Sequence, residues 1–199
     1  MAEQYFAPKP QSGHHKRKLE LVFRDQRLVF YTDAGVFSKD GLDEGTRLLL
    51  DACVDAISGR VLDLGCGWGA LGIIAKKCCP DCAIVLSDVN ERACDLAQEN
   101  ALVNGVKALV YCGDGFETIP GKFDWILFNP PVRAGKQTIY SLFEECAKRL
   151  NRGGRLAVVM RKQQGALSAL ARLQTLFGQA QLVCRHKGFH VYFCGEADE

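Results

Sequence analysis

Val61-Leu62-Asp63-Leu64-Gly65-Cys66-Gly67-Trp68-Gly69 is an apolar run that stops on alternating glycines. It reads as a buried strand turning tightly into a helix, and glycine there lets a ligand approach the backbone closely. Read from Gly65, the dinucleotide pattern closes on Ala70, and read from Gly67 it runs through Gly69 and Gly72. A tight turn with no ligand would satisfy the same residues.

Outward from this stretch, short apolar runs alternate with helical patterns. Strands are expected at 61–64, 83–87, 108–111, 125–128 and 156–160, and helices over 69–79, 91–104, 138–151 and 165–177. That alternation predicts a parallel sheet wrapped by helices, an α/β fold. The ending differs, because strands at 181–185 and 189–194 are joined only by His186-Lys187-Gly188, which forces an antiparallel pair. Upstream, Leu48, Leu49, Leu50, Cys53, Val54 and Ile57 repeat at helical spacing until Gly59. Before them, Leu19, Leu21 and Phe23 alternate with polar residues and Leu28-Val29-Phe30-Tyr31 resumes the extended pattern, which predicts an antiparallel hairpin.

With 199 residues, one core suffices. The expected organisation is a mobile basic arm over 1–18, closed by His14-His15-Lys16-Arg17-Lys18, and a single domain over 19–199, with the hairpin in 19–41 and the core in 42–199. Composition is that of an ordinary globular protein, 48% hydrophobic and 24% charged with a net charge of +2. Apolar runs fall short of a membrane span and the N-terminus lacks a secretory pattern, so a cytoplasmic protein is expected. Seven of the ten cysteines stand singly in apolar patterns, and Cys78, Cys79 and Cys82 lack a partner pair at finger-like spacing. Reduced thiols and no bound metal are expected.

Two carboxylate positions and one amide carry the chemistry. Asp88 ends the strand about 20 residues after the glycines, where a carboxylate can accept from both ribose hydroxyls, although a helix cap before Val89-Asn90-Glu91 is equally open, a role that Asn90 could take instead. Asp114, in Gly113-Asp114-Gly115-Phe116, lies past the third strand on the same edge and could accept from an adenine amine while Phe116 or a neighbour covers the ring, or could simply form a turn. Asn129-Pro130-Pro131-Val132 ends the fourth strand beside the point where open parallel sheets bind ligands. Two prolines remove two donors and lock φ, which leaves rigid, unpaired carbonyls. An exocyclic amine has two hydrogens to give, and the Asn129 side-chain oxygen with such a carbonyl can take both. Doing so turns the nitrogen lone pair toward an electrophilic methyl.

From Tyr31 to Cys194 the chain resembles the class I methyltransferase domain of RsmC-like small-subunit ribosomal RNA guanine-N2 methyltransferases, in particular their short single-domain members. The resemblance rests on Gly35-Val36-Phe37-Ser38-Lys39-Asp40-Gly41-Leu42-Asp43, on 61–67, on Asp88-Val89-Asn90, and on Asn129-Pro130-Pro131-Val132-Arg133-Ala134-Gly135-Lys136. It implies a Rossmann-like, seven-stranded, mostly parallel sheet with a C-terminal antiparallel hairpin, and S-adenosylmethionine as donor. By the same resemblance Asp63 and Gly65, Cys66, Gly67 and Gly69 line the methionine end, Asp88 and Val89 hold the ribose, Asp114 and Gly115 meet the adenine, and Asn129, which also borders the donor, takes the target amine with Pro130 and Pro131. The implied substrate is ribosomal RNA or the small ribosomal subunit, met by a monomer.

Where many amine methyltransferases carry an aromatic after the prolines, this chain has Val132, so Phe37 is the candidate for stacking, with Val132, Arg133 and Lys136 beside the substrate. Arg133, Lys136, Arg161, Lys162, Arg185, His186 and Lys187 are expected to leave the sheet on the same edge and, with His14 to Lys18 of the arm, to form a basic rim. A protein glutamine amide fits the same Asn-Pro-Pro geometry and remains an alternative. The glycines alone also permit an NAD-dependent oxidoreductase, and the fold alone a non-catalytic RNA-binding module.

Overall fold

The computed structural model describes residues 8–10, 12–131 and 134–196. A seven-stranded sheet forms the centre, built from β3 (Arg60–Leu64), β4 (Ala83–Asp88), β5 (Ala108–Cys112), β6 (Phe123–Phe128), β7 (Leu150–Arg161), β8 (Gln179–His186) and β9 (Phe189–Gly195). Its order is β5-β4-β3-β6-β7-β9-β8, parallel except for β9, which runs antiparallel to both neighbours. The chain order reverses between β3 and β6, where Leu64 pairs with Phe128. The residues that follow, Gly65 and Asn129, therefore leave the sheet side by side. A crevice at such a switch point is where open α/β sheets hold ligands.

Side chains alternate along the strands and feed two cores. Val61, Trp125, Leu127, Ala157 and Val159 face α1 (Glu44–Cys53), α2 (Ala70–Cys78) and α3 (Glu91–Val103), while Leu62, Leu64, Ile126, Phe128, Leu156 and Val158 face α4 (Lys136–Arg149) and α5 (Ala166–Phe177). The predicted sheet, its antiparallel ending and the N-terminal hairpin are all present, the hairpin as a separate two-stranded sheet of β1 (Arg17–Phe23) and β2 (Gln26–Thr32). The β8–β9 turn is tighter than expected, with Lys187 and Gly188 both at positive φ, 45° and 81°. Two such residues match the twist of the flanking strands.

Two boundaries moved by more than two residues. α1 ends at Cys53 rather than near Ile57. β7 begins six residues before Leu156, because Leu150 pairs with Phe123 and an irregular step then lets Arg155 pair with Trp125. Gly154 permits this step, since a Cβ there would stand 2.9 Å from the Phe123 carbonyl oxygen.

The hairpin docks on α3 through two asparagines. Asn100 Oδ1 accepts from the Tyr31 amide (2.6 Å) while its Nδ2 donates to the Tyr31 carbonyl (2.8 Å), and Asn104 does the same to Val29 at 3.0 and 2.6 Å. Four residues apart on one helix face, these amides imitate a neighbouring strand. The described part of the segment expected to be a mobile arm lies against the domain: the Pro8 carbonyl accepts from the Glu91 amide (3.0 Å) and Arg92 donates to the Ser12 carbonyl (2.8 Å). Among the described residues no helix is long and apolar enough to cross a membrane, and all ten cysteines are unbridged.

Candidate functional site

A cleft of about 310 Å³ opens at the carboxyl ends of β3, β4, β5 and β6. Gly65, Gly67, Asp88, Val89, Asp114, Gly115, Asn129, Pro130 and Pro131 line it, so four segments separated by up to 66 positions meet there. Gly65 and Gly67 have φ of 69° and 55°, and nothing stands within 4 Å of where a Cβ would project. This bare backbone is the cradle a bulky ligand needs. Ser87 Oγ is buried beside the cleft without a hydrogen-bond partner among the described residues. Such an orphaned group is costly unless a ligand or water meets it.

Asp88 is not the cap of α3. Asn90 takes that role, its Oδ1 accepting from the Arg92 and Ala93 amides, while Asp88 accepts from the Gly67 amide (2.8 Å) and the Asn90 amide (2.9 Å). These bonds tie the glycine loop to the end of β4 and leave lone pairs toward the cleft. Burial raises the Asp88 carboxyl above the ordinary range. The fully buried Asp63 accepts from the Gly72 amide (2.8 Å), and burial pushes it up to about 7, with the Gly72 bond opposing and Asp88 adding to the rise. Asp63 borders a smaller recess that continues the cleft past Gly65, Cys66, Trp68 and Asn129. Burial also holds the Cys66 thiol well above its usual value, so it behaves as an apolar wall.

The Asn129 amide nitrogen donates to Thr46 Oγ1 (2.9 Å) and to Asp43 Oδ2 (3.2 Å). Phe37 overlies the cleft and the recess, and Trp68 Nε1 donates to its carbonyl at 3.0 Å. Trp68 in turn packs edge-on against Phe30 of the hairpin, ring centroids 5.0 Å apart.

Three expected positions fall elsewhere. Gly69 does not line the cleft: a Cβ there would meet Ile73 at 2.9 Å and Ala97 at 3.2 Å, so it serves the packing of α2 on α3. Phe116 is buried in the core under Arg149, and Leu142, Thr138 and Ala134 provide the wall by Gly115 instead. Lys136 turns aside, its ammonium 5.2 Å from the centre of the Tyr140 ring. Val132 and Arg133 lie outside the described residues. The β8–β9 turn comes to the cleft edge of the sheet, because Phe189 pairs with Arg161 at the carboxyl end of β7. There Arg161 lies over the Phe189 ring (4.5 Å) and Lys187 pairs with Glu44 (2.6 Å). Sequence reading missed Asp43, Thr46, Ser87 and Pro8 at the site. The signals for any of them were the helix-start pattern Asp43-x-x-Thr46 and the place of Asp43 at the end of the 35–43 stretch that carries the resemblance.

Comparison with known proteins gives a consistent set of relatives. The model of the methyltransferase small domain family matches residues 27–193. An uncharacterized protein of Bacillus subtilis, YbxB, is 38% identical over 195 residues, which covers 96% of this chain and 97% of that one. A ribosomal RNA small subunit methyltransferase C of Haemophilus influenzae is 36% identical over 171 residues, covering 84% of this chain and 51% of its own. Among solved structures, the T. thermophilus 16S rRNA N2 G1207 methyltransferase in complex with AdoMet and guanosine superposes with a TM-score of 0.82 at 25% identity, covering 92% of this chain and 51% of that one. The chain spans about half the length of these ribosomal RNA methyltransferases.

Proposed function

The chain belongs to the methyltransferase small domain family, and on that premise we propose that it transfers a methyl group from S-adenosylmethionine to an exocyclic amine of an RNA base, guanine N2 in small-subunit ribosomal RNA. The observation that carries this reading is the meeting of Asn129-Pro130-Pro131 with Gly65, Gly67, Asp88 and Asp114 on one cleft. A nucleoside donor and an amine acceptor need those two sets of groups within reach of each other. The guanosine and AdoMet named for the T. thermophilus structure, and the ribosomal RNA named for the Haemophilus relative, support the choice of donor and substrate.

The donor supplies a sulfonium methyl, whose bond to sulfur breaks as the amine nitrogen bonds to carbon, the electron pair staying on sulfur in the thioether product. In our assignment Gly65 and Gly67 admit the methionine end beside Asp63, the free lone pairs of Asp88 accept from the ribose hydroxyls, and Asp114 meets the adenine edge. Asn129 Oδ1 and a rigid carbonyl of the same motif accept the two amine hydrogens. The nitrogen becomes acidic once it carries the methyl, and its proton passes through the Asn129 hydrogen bond to water, so no strong base is required. Phe37, overhanging the cleft, offers the ring that Val132 lacks.

The test is to incubate the protein with radiolabelled donor and undermethylated ribosomal RNA, then digest to nucleosides. Label in N2-methylguanosine is expected. Label on another nucleoside would overturn the choice of guanine, and label on a protein glutamine would overturn RNA as the substrate.

A further inference from the structure

An asparagine side chain can be turned by half a rotation without steric cost, and its two orientations do opposite things. With Oδ1 toward the cleft, Asn129 accepts a hydrogen from an amine. With Nδ2 there, it presents hydrogens to hydrogens. Nothing within the Asn-Pro-Pro motif chooses between them.

The choice is made by α1, 83 to 86 positions earlier in the chain. Nδ2 of Asn129 faces two oxygens, Thr46 Oγ1 at 2.9 Å and Asp43 Oδ2 at 3.2 Å. The Thr46 hydroxyl donates its one hydrogen to the same Asp43 oxygen, so toward Asn129 it can only accept. An ionised carboxylate never donates. Both neighbours therefore demand a donor, and only the amide nitrogen satisfies them. Asp43 is itself immobilised as the cap of α1, accepting from the Gly45 amide (2.9 Å) and the Thr46 amide (3.3 Å). Gly45 leaves no slack, because a Cβ there would stand 2.9 Å from the Phe189 ring. Capping alone does not explain a carboxylate: asparagine or serine caps a helix about as well. What aspartate adds is an acceptor that cannot be reversed.

We infer that Asp43 and Thr46 are positioning residues that hold Asn129 with Oδ1 toward the amine. This rests on the methyltransferase reading for its consequence in catalysis, but not for the orientation itself. Asp43→Asn separates capping from orientation. The new side chain still caps α1, yet its own amide nitrogen can meet Asn129, which then turns its oxygen inward and its hydrogens to the cleft. Thr46→Val removes one of the two acceptors and leaves the charge and the cap, and Thr46→Ser restores the hydroxyl.

The experiment compares these variants in steady-state methyl transfer, in calorimetric donor affinity and in melting temperature, and follows the Asn129 side-chain NH2 by nitrogen-15 NMR of the donor-free protein. Expected are a kcat lower by roughly 100-fold in Asp43→Asn, a smaller loss in Thr46→Val and recovery in Thr46→Ser. Donor affinity should stay within about threefold. The NH2 hydrogens should exchange slowly in the wild type and rapidly in Asp43→Asn. An Asp43→Asn protein with wild-type kcat and protected NH2 hydrogens would overturn the inference. So would a loss of kcat matched by an equal loss of donor affinity or by unfolding. If the wild type shows slow exchange but transfers no methyl to RNA, the orientation stands and the RNA reading falls.

Discussion

In the proposed reaction Asn129 accepts the amine hydrogens, so truncating it to alanine, which leaves Gly65, Gly67 and Asp88 as they are, is expected to lower turnover by roughly 100-fold or more with donor affinity nearly unchanged. Calorimetry and single-turnover kinetics on the same preparation check this. If Phe37 stacks on the target base as proposed, Phe37→Ala should raise KM for RNA by roughly tenfold, and unchanged kinetics would remove Phe37 from the proposed substrate site. Asp63 makes a prediction about pH. Its folded value of about 7 lies above that of an unfolded aspartate. Between about pH 4 and 7 the folded protein therefore keeps a proton that the unfolded chain has released. Its contribution to stability is greatest at the acid end and declines as pH rises through that window. Asp88 is raised too and adds the same sign. The melting temperature of the donor-free wild type should thus fall more steeply from pH 5 to 8 than that of Asp63→Asn, measured by calorimetry. Asp63 could be named from the sequence as a lining residue, but its raised value follows from burial, which comes from α2 and the sheet closing over it.

At the scale of elements, α3 holds the hairpin and the hairpin holds the cleft. Asn100 satisfies the Tyr31 amide and carbonyl and also donates to the Trp68 carbonyl (2.8 Å). Trp68 fixes the carbonyl of Phe37. Asn100→Ala leaves those backbone groups unpaired in a buried place, at a cost of roughly 2 kcal/mol. For a chain of this size that lowers the melting temperature by about 4–8 °C, and it should also loosen the Phe37 loop and weaken RNA binding. A thermal scan with a binding titration checks both effects. The helix and strand of each unit were legible, because apolar periodicity reports burial directly. The strand-like role of Asn100 and Asn104 was not, since two asparagines at helical spacing look like any polar helix face. Phe116 misled for a related reason: a ring next to a candidate adenine site has as much to gain from the core, and packing under α4 took it.

The whole molecule brings three basic segments to the cleft edge of one sheet: the carboxyl end of β7 with Lys162, the end of β8 with Arg185, and the β8–β9 turn. If they contact phosphates, RNA affinity should fall steeply with salt, and Lys162→Ala and Arg185→Ala should each lower the slope of log affinity against log salt by about 1 without changing the nucleotide chosen. A filter-binding series at several salt concentrations checks this. From the amino acids alone came the α/β class, the antiparallel ending, the glycine cradle, and the placing of Asp88 and Asn129-Pro130-Pro131 on one edge of the sheet. Each depends on local pattern or on the rule that parallel strands end on one edge. The tertiary structure alone decided that Asn129 sits against Asp43 and Thr46, that Gly69 packs helices rather than bordering the cleft, and that Asn90 rather than Asp88 caps α3. Those outcomes turn on distances of a few ångströms between residues many positions apart, and no spacing along the chain encodes which way an amide faces when it gets there.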